Sequence, residues 1–284
     1  MLRTSKTALA LAAGVLFLFG TGCEKLKSRD NLNKGVAAFK GAKYSDSVTF
    51  FKEAIRLDPA NPNARLYLAT AYMVQWIPGA DSPENNDFAK NARDQFTEVY
   101  KKDSKNTTAI ASLASLAFNE GKAIPADEKN REARLGRFDE AKDWYTKLLE
   151  IDSKDKTAYY SLGVIVWEKW YPVLMNARAK MSMKPEDQGP LKDKKVREQL
   201  RTDYLPLVND GIAKLEKALE VDPLYDDAMA YLNLLHRERA DIAETPEEFK
   251  KEIETADGLV TQALNARKVK NEKANQAGQG IVAK

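Results

Sequence analysis

One helix-ending signal occurs four times in this chain, each time with the same pattern around it, and it constrains the fold more than any other feature. The signal stands at Leu57-Asp58-Pro59, Lys102-Asp103-Ser104, Ile151-Asp152-Ser153 and Val221-Asp222-Pro223. Before the first, Val48, Phe51, Ala54 and Ile55 share one helical face, and proline cannot continue the helix. Counted from residues 59, 104, 153 and 223, large residues stand eight positions earlier, at Phe51, Phe96, Tyr145 and Leu215. Small ones stand twelve earlier, at Ser47, Ala92, Ala141 and Gly211, and Ala54, Val99, Leu148 and Ala218 stand five earlier. On the far side a leucine follows nine positions later, at Leu68, Leu113, Leu162 and Leu232. Each leucine has an alanine four residues before it (Ala64, Ala109, Ala158, Ala228) and a small or medium residue after it (Ala69, Ala114, Gly163, Asn233). Large residues at fixed offsets fill gaps between helices, and small ones let two backbones approach. A pattern kept at six offsets predicts stacked copies of one helical unit.

On these residues the chain resembles the tetratricopeptide-repeat (TPR) family, whose 34-residue unit is an antiparallel helix pair. Thr157-Ala158-Tyr159-Tyr160-Ser161-Leu162-Gly163 matches its first helix best. Phe138-Asp139-Glu140-Ala141, leading to Leu149-Glu150-Ile151-Asp152, matches its second helix. The resemblance implies an all-α fold: a right-handed superhelix, or α-solenoid, of about five helix pairs over residues 28–268. The last pair would begin near Asp226, with a divergent second helix from about Pro246 to Lys268. The stops lie 45, 49 and 70 residues apart, so three insertions are expected between first and second helices, at about 76–87, 120–135 and 168–206. The third is expected to be partly helical over Lys192–Tyr204 and punctuated by Pro172, Pro185, Pro190 and Pro206. Loops of one type line one edge of a solenoid, where insertions often mark a binding face.

The ends do not share the repeat pattern. Arg3 and Lys6 precede an apolar run, Ala8–Phe19, then Gly20-Thr21-Gly22 and the sole cysteine, Cys23. The run is shorter than the roughly 20 residues a spanning helix needs, and reads as a secretory signal. It resembles a bacterial lipoprotein signal, with Gly20 where that family usually has Leu. The resemblance implies cleavage of residues 1–22 and acylation of Cys23, with residues 23–27 as a lipidated tether. Glu24, where inner-membrane retention usually has Asp, favours the outer membrane, facing the periplasm. Residues 269–284 are polar, lack an apolar period and read as a flexible basic tail.

Little chemistry is visible. The net charge is +3, and it falls to +1 without Arg3 and Lys6, which argues against a nucleic-acid partner. There is no phosphate loop, nucleophile elbow or zinc spacing, so no enzyme activity, metal or cofactor is expected. The sole histidine, His236, falls where the TPR family often packs an aromatic residue, and is expected to be structural. Met175, Met181 and Met183, with Trp167, Trp170 and Tyr171, either pack the long insert or hold Cu(I) or another small ligand.

The TPR resemblance also implies a groove walled by first helices. Its residues would be Leu32, Val36 and Phe39, then Leu66, Thr70, Met73 and Val74, then Ala111, Ser115 and Phe118. Tyr160, Val164 and Trp167 would continue it, followed by Ala230, Leu234 and Arg237. Such a wall is apolar and aromatic, so it takes an apolar helix or strand of a partner, or the chain's own insert fills it. The reading is a membrane-anchored protein-binding scaffold in a bacterial envelope assembly, whose partners are envelope proteins or peptides.

Overall fold

The computed structural model describes residues 5–184, 187 and 189–282, with side chains between Cys23 and Gln276. Its helices are α1 (Ser5–Lys40), α2 (Tyr44–Leu57), α3 (Pro62–Gln75), α4 (Pro83–Lys102) and α5 (Thr107–Ala123). They continue as α6 (Arg131–Ile151), α7 (Lys156–Lys180), α8 (Lys194–Val221), α9 (Asp226–Ala240) and α10 (Pro246–Val282). Among the described residues there is no strand. Consecutive helices pack as pairs, α1 with α2, α3 with α4, α7 with α8 and α9 with α10. Phe118 on α5 meets Phe138 on α6 at 5.9 Å between ring centres. The fold is thus the all-α repeat of five helix pairs that the offsets predict. The chain divides into two compact units, residues 1–116 and 117–284.

The repeated aspartates have a local explanation. Each stop is a tight turn in which the Asp carboxylate accepts from the backbone N–H two residues on: Asp58 from Ala60, Asp103 from Lys105, Asp152 from Lys154 and Asp222 from Leu224. The residue three after each Asp then starts the next helix. Asn61, Asn106 and Asp155 accept from the backbone of Ala64, Ala109 and Ala158, satisfying first-turn donors that have no helical partner. Tyr225 holds that place in the last turn and makes no side-chain cap. Stop and start are one motif four residues long, so this connection cannot vary in length.

In the first unit the packing follows the small-and-large rule. Gly35 lies against Phe51, where a Cβ would come within 2.4 Å of the ring. The buried Ser28 hydroxyl donates to the carbonyl of Ala54 at 2.8 Å. The insertion expected at 76–87 is a short loop followed by a longer α4. Buried Asn85 braces that loop, accepting from the Ile77 amide and donating to the carbonyls of Ile77 and Ala80. Cys23 is exposed, and α1 runs through it, so residues 23–27 are helical. Arg3 lies outside the described residues.

The second unit departs further from the expectation. Gly163 meets Leu215 as its slot requires, since a Cβ would lie 2.4 Å from Leu215 Cγ. The insertion at 120–135 is absorbed by a longer α5 and by α6, which begins at Arg131. The long insertion at 168–206 is mostly helix: α7 runs through Pro172 to Lys180, and α8 runs from Lys194 through Pro206. Those two prolines do not end their helices as expected. Proline at position 172 removes the N–H that would bond the carbonyl of Glu168. That carbonyl accepts instead from Nη1 of buried Arg134 at 2.7 Å, while Arg134 Nη2 donates to the Glu168 carboxylate. A side chain on α6 thus replaces the missing rung of α7. Pro185 lies outside the described residues, and Pro190 lies in the α7–α8 connection. Of the stretch 269–284, read as a flexible basic tail, the described residues continue α10 to Val282, and Lys270 and, just before it, Arg267 pair with buried Asp226.

Candidate functional site

The wall positions fall differently in the two units. In the first, Leu32, Val36 and Phe39 on α1 and Leu66, Thr70 and Met73 on α3 are half-buried, while Val74 is exposed. Thr70 donates its hydroxyl to the carbonyl of Leu66, and Phe39 meets Tyr44 edge-on at 5.4 Å.

In the second unit an aromatic cluster forms. Tyr160 lies 5.1 Å from Tyr225 and 5.7 Å from Tyr231 between ring centres. Trp167 stacks on Tyr171 at 4.7 Å and meets Tyr231 edge-on at 5.4 Å. All five are half-buried, whereas Val164 is buried. The Tyr160 hydroxyl is pushed above the usual tyrosine range by burial first, then by Tyr231 and Asp227 nearby. Phe118 sits against Phe138, and Leu234 and Arg237 lie beside a cavity further along α9.

That cavity has a volume of about 560 Å³ and is formed by α7, α9, α10 and the α7–α8 connection. Trp167 Nε1 donates to Oε1 of Glu238 at 2.7 Å, joining the aromatic cluster to the cavity wall. Glu238 Oε2 is buried and has no hydrogen-bond partner. Burial pushes the Glu238 carboxyl up to about 8; the Trp167 bond opposes this and the Asp241 charge adds to it. Asp241, paired with Arg178 at 2.8 Å, is raised to about 6 because burial outweighs the attraction of Arg178. Arg178 also donates to the carbonyls of Lys184 and Asp187, and the Leu191 amide donates to the carbonyl of Asp241. The connection is therefore tied down on the end of α9.

Glu238 and Asp241 were not among the residues singled out in the sequence. In the run His236-Arg237-Glu238-Arg239 an acidic residue reads as part of a solvated face. The available signal was its place four residues after Leu234, on the apolar face of α9.

The remaining singled-out side chains are packed. His236 is buried, with Nδ1 2.7 Å from Glu252 Oε2, and Arg239 donates to both oxygens of Glu252. Burial raises Glu252, but the hydrogen bonds of His236 and Arg239 outweigh it and hold the carboxyl below its usual range. Met183 is buried in the core, Met181 Sδ accepts from the Asp193 amide at 3.5 Å, and Met175 edges the cavity. Among the described residues no His, Cys, Asp and Glu cluster could hold a metal ion.

Comparison with known proteins agrees with this architecture. Family models for tetratricopeptide repeats match residues 32–107 and 133–155, so the chain carries TPR repeats. Solved structures that share the fold include two MamA chains. One is MamA from Desulfovibrio magneticus RS-1, residue 41 to its end, at 14% identity and TM-score 0.51, covering 86% of this chain and 96% of that one. The other is a double mutant of MamA RS-1, at 14% identity and TM-score 0.52, covering 87% and 97%. No curated protein matches by sequence.

Proposed function

We propose that this chain is a protein-binding scaffold of a bacterial envelope, anchored through lipid on Cys23. The partner binds through the aromatic cluster of the second unit. One observation carries the reading: Tyr160, Trp167, Tyr171, Tyr225 and Tyr231 gather half-buried on the first helices α7 and α9 and on the turn that leads into α9. Grouped aromatic side chains with part of their surface open suit an apolar helix or strand of another protein, and such anchors often carry 2 kcal/mol or more each on truncation. The double substitution Tyr160→Ala and Trp167→Ala should abolish capture of partners from detergent-solubilised membranes while helicity is retained. Unchanged capture by a folded variant refutes the proposed surface.

The anchor reading is supported by the exposure of Cys23 and by α1, which continues from it to Lys40. Among the described residues no helix is long and apolar enough to cross a membrane. Several acyl chains, at about 0.8 kcal/mol per buried CH₂, hold a protein on a bilayer durably. A helical tether of four residues rises only about 6 Å, which would keep the first repeat close to the membrane surface. Cys23→Ala should leave the protein uncleaved or released. A Cys23→Ala protein of mature mass in the membrane fraction would exclude lipidation as the anchor.

A further inference from the structure

The cavity beside the aromatic cluster carries a more specific reading, and its argument is charge accounting. Four carboxyl side chains line it (Asp187, Glu238, Asp241, Asp257) against two guanidinium groups. Both guanidinium groups are engaged: Arg178 by Asp241 and two carbonyls, and Arg237 by Asp257 and Asn233. An anion entering would therefore meet carboxylates with no cation left to receive it. What remains unmatched is Glu238 Oε2, a buried carboxyl oxygen without a partner in a side chain only 7% exposed. Leaving such a group buried and unpaired is costly, and the residue that carries it lines a cavity of ligand size, which makes Glu238 the group through which that cavity would hold a ligand. The walls around it are apolar and aromatic, with Tyr171, Met175, Leu234, Phe249 and Ile253. Aromatic faces attract cations and an aliphatic stem packs on the rest.

We propose that this cavity binds an organic ammonium or guanidinium group, with Glu238 as its counter-ion and its stem against Tyr171 and Phe249. The group comes from a free amine or from a lysine or arginine side chain of a partner protein. A free amine needs no protein partner, so the inference stands apart from the scaffold reading. Cation binding requires the ionised carboxylate. A Glu238 held protonated by burial must release its proton to the solvent as the cation enters. The charged groups facing it are Arg178 on α7, Arg237 on α9, Asp241 just beyond it, Asp257 on α10 and Asp187 on the connection. Affinity should therefore rise with pH through the range in which Glu238 ionises.

The test uses the full chain in non-ionic detergent, with detergent-only blanks, followed by calorimetry and tryptophan fluorescence. Trp167 reports on the charge of the carboxyl it bonds. The probes are n-pentylamine against 1-pentanol, and acetyl-Ala-Lys-Ala-amide against its norleucine counterpart. The expected result is saturable binding of a charged probe and not of its neutral twin, at least tenfold tighter at about pH 8 than at about pH 6. Glu238→Gln should keep the acceptor for Trp167 but weaken the charged probe tenfold or more. Binding of the amine alone assigns a free ligand, and binding of the peptide alone assigns a partner's side chain. Equal binding of the neutral twins, undiminished binding by Glu238→Gln, or no binding of either charged probe up to about 10 mM overturns the proposal. Should the Gln variant fail to fold, the preference for charged over neutral probes in the unaltered protein still decides.

Discussion

The two compact units are built from one repeat but bury different things. In the first, the buried polar side chains among the described residues are Ser28, Ser47 and Asn85, all neutral and all bonded to backbone. In the second they include Arg134, Glu168, Arg178, Asp226, His236, Glu238 and Glu252. Buried charge is expensive unless paired and bonded, and a plain helix-pair stack does not need it. The ion pairs of the second unit sit where the chain departs from the plain repeat. Arg134 serves the proline-broken rung of α7, Arg178 fastens the long connection, and Asp226 and Glu252 secure α10. Each is the consequence of lengthening a helix pair and then tying it back. Glu238 secures none of these departures: one oxygen accepts from Trp167 and the other has no partner, which is why it points to a ligand.

The sharpest way to break this comparison is Arg134→Ala. It would leave a buried carboxylate without its main partner and the Glu168 carbonyl without a donor. A cost of about 3–5 kcal/mol in the free energy of unfolding is expected, read from denaturant titration. In a Pro172→Ala background the restored N–H can reach that carbonyl, so the same substitution should cost less. Equal costs in both backgrounds would show that Arg134 does not stand in for the missing rung.

Glu238 comes next, through pH. Folding raises its carboxyl from the ordinary carboxylate range to about 8, so the folded state holds a proton that the unfolded chain has released. Below about pH 4 both states are protonated and the group contributes nothing; from there to about pH 8 each step up in pH costs stability. Asp241, raised to about 6, adds a loss of the same sign over the lower part of that window. Relative to the native chain, Glu238→Gln should gain stability steadily from about pH 5 to about pH 8 and level off above it, by roughly 2–4 kcal/mol in all. Parallel curves for the two proteins would mean the carboxyl is already ionised in the fold.

A third substitution tests the repeat shared by both units. Gly163→Leu must push Leu215 out of its slot, at a cost of about 1–3 kcal/mol or more. Loss-free unfolding would contradict the packing of α7 on α8.

The sequence made the helix pairs legible because the Asp turn fixes one connection and the Gly–Leu and Gly–Phe slots fix the approach of the helices. It misled at Pro172, because proline ends a helix only when nothing else satisfies the freed carbonyl. That partner, Arg134, lies 34 residues away from Glu168 and cannot be seen in a local window. The candidate site was half legible. Tyr160 and Trp167 followed from the repeat register, as did Leu234 and Arg237. Glu238 did not, because whether an acidic side chain is solvated or buried depends on α7 and α10, which meet α9 only in the fold. The stretch after Lys268 lacks an apolar period, and what holds its start is an ion pair that no periodicity shows: Lys270 with buried Asp226.

The smallest expected effect lies in the plain unit, at the turn between α1 and α2. There the amide of Lys43 donates to the carbonyl of Ala38 at 2.9 Å, and that of Ala42 to Phe39 at 3.0 Å. This is the helix-ending arrangement that places one residue in the left-handed region, and Ala42 occupies it with φ of 56°. A Cβ there crowds the following carbonyl by about 1–2 kcal/mol, while Gly41 beside it does not carry the positive φ. Ala42→Gly relieves the crowding but adds backbone freedom to the unfolded chain, worth about 0.5–1 kcal/mol in the opposite direction. The net should be a gain of about 1 kcal/mol or less, read as a small rise in the midpoint of thermal unfolding. Gly41→Ala, at a position without that conformation, should change stability little. If Ala42→Gly destabilises instead, the left-handed turn is not the solution conformation, and the connection between α1 and α2 is held by the Ser28 and Gly35 contacts alone.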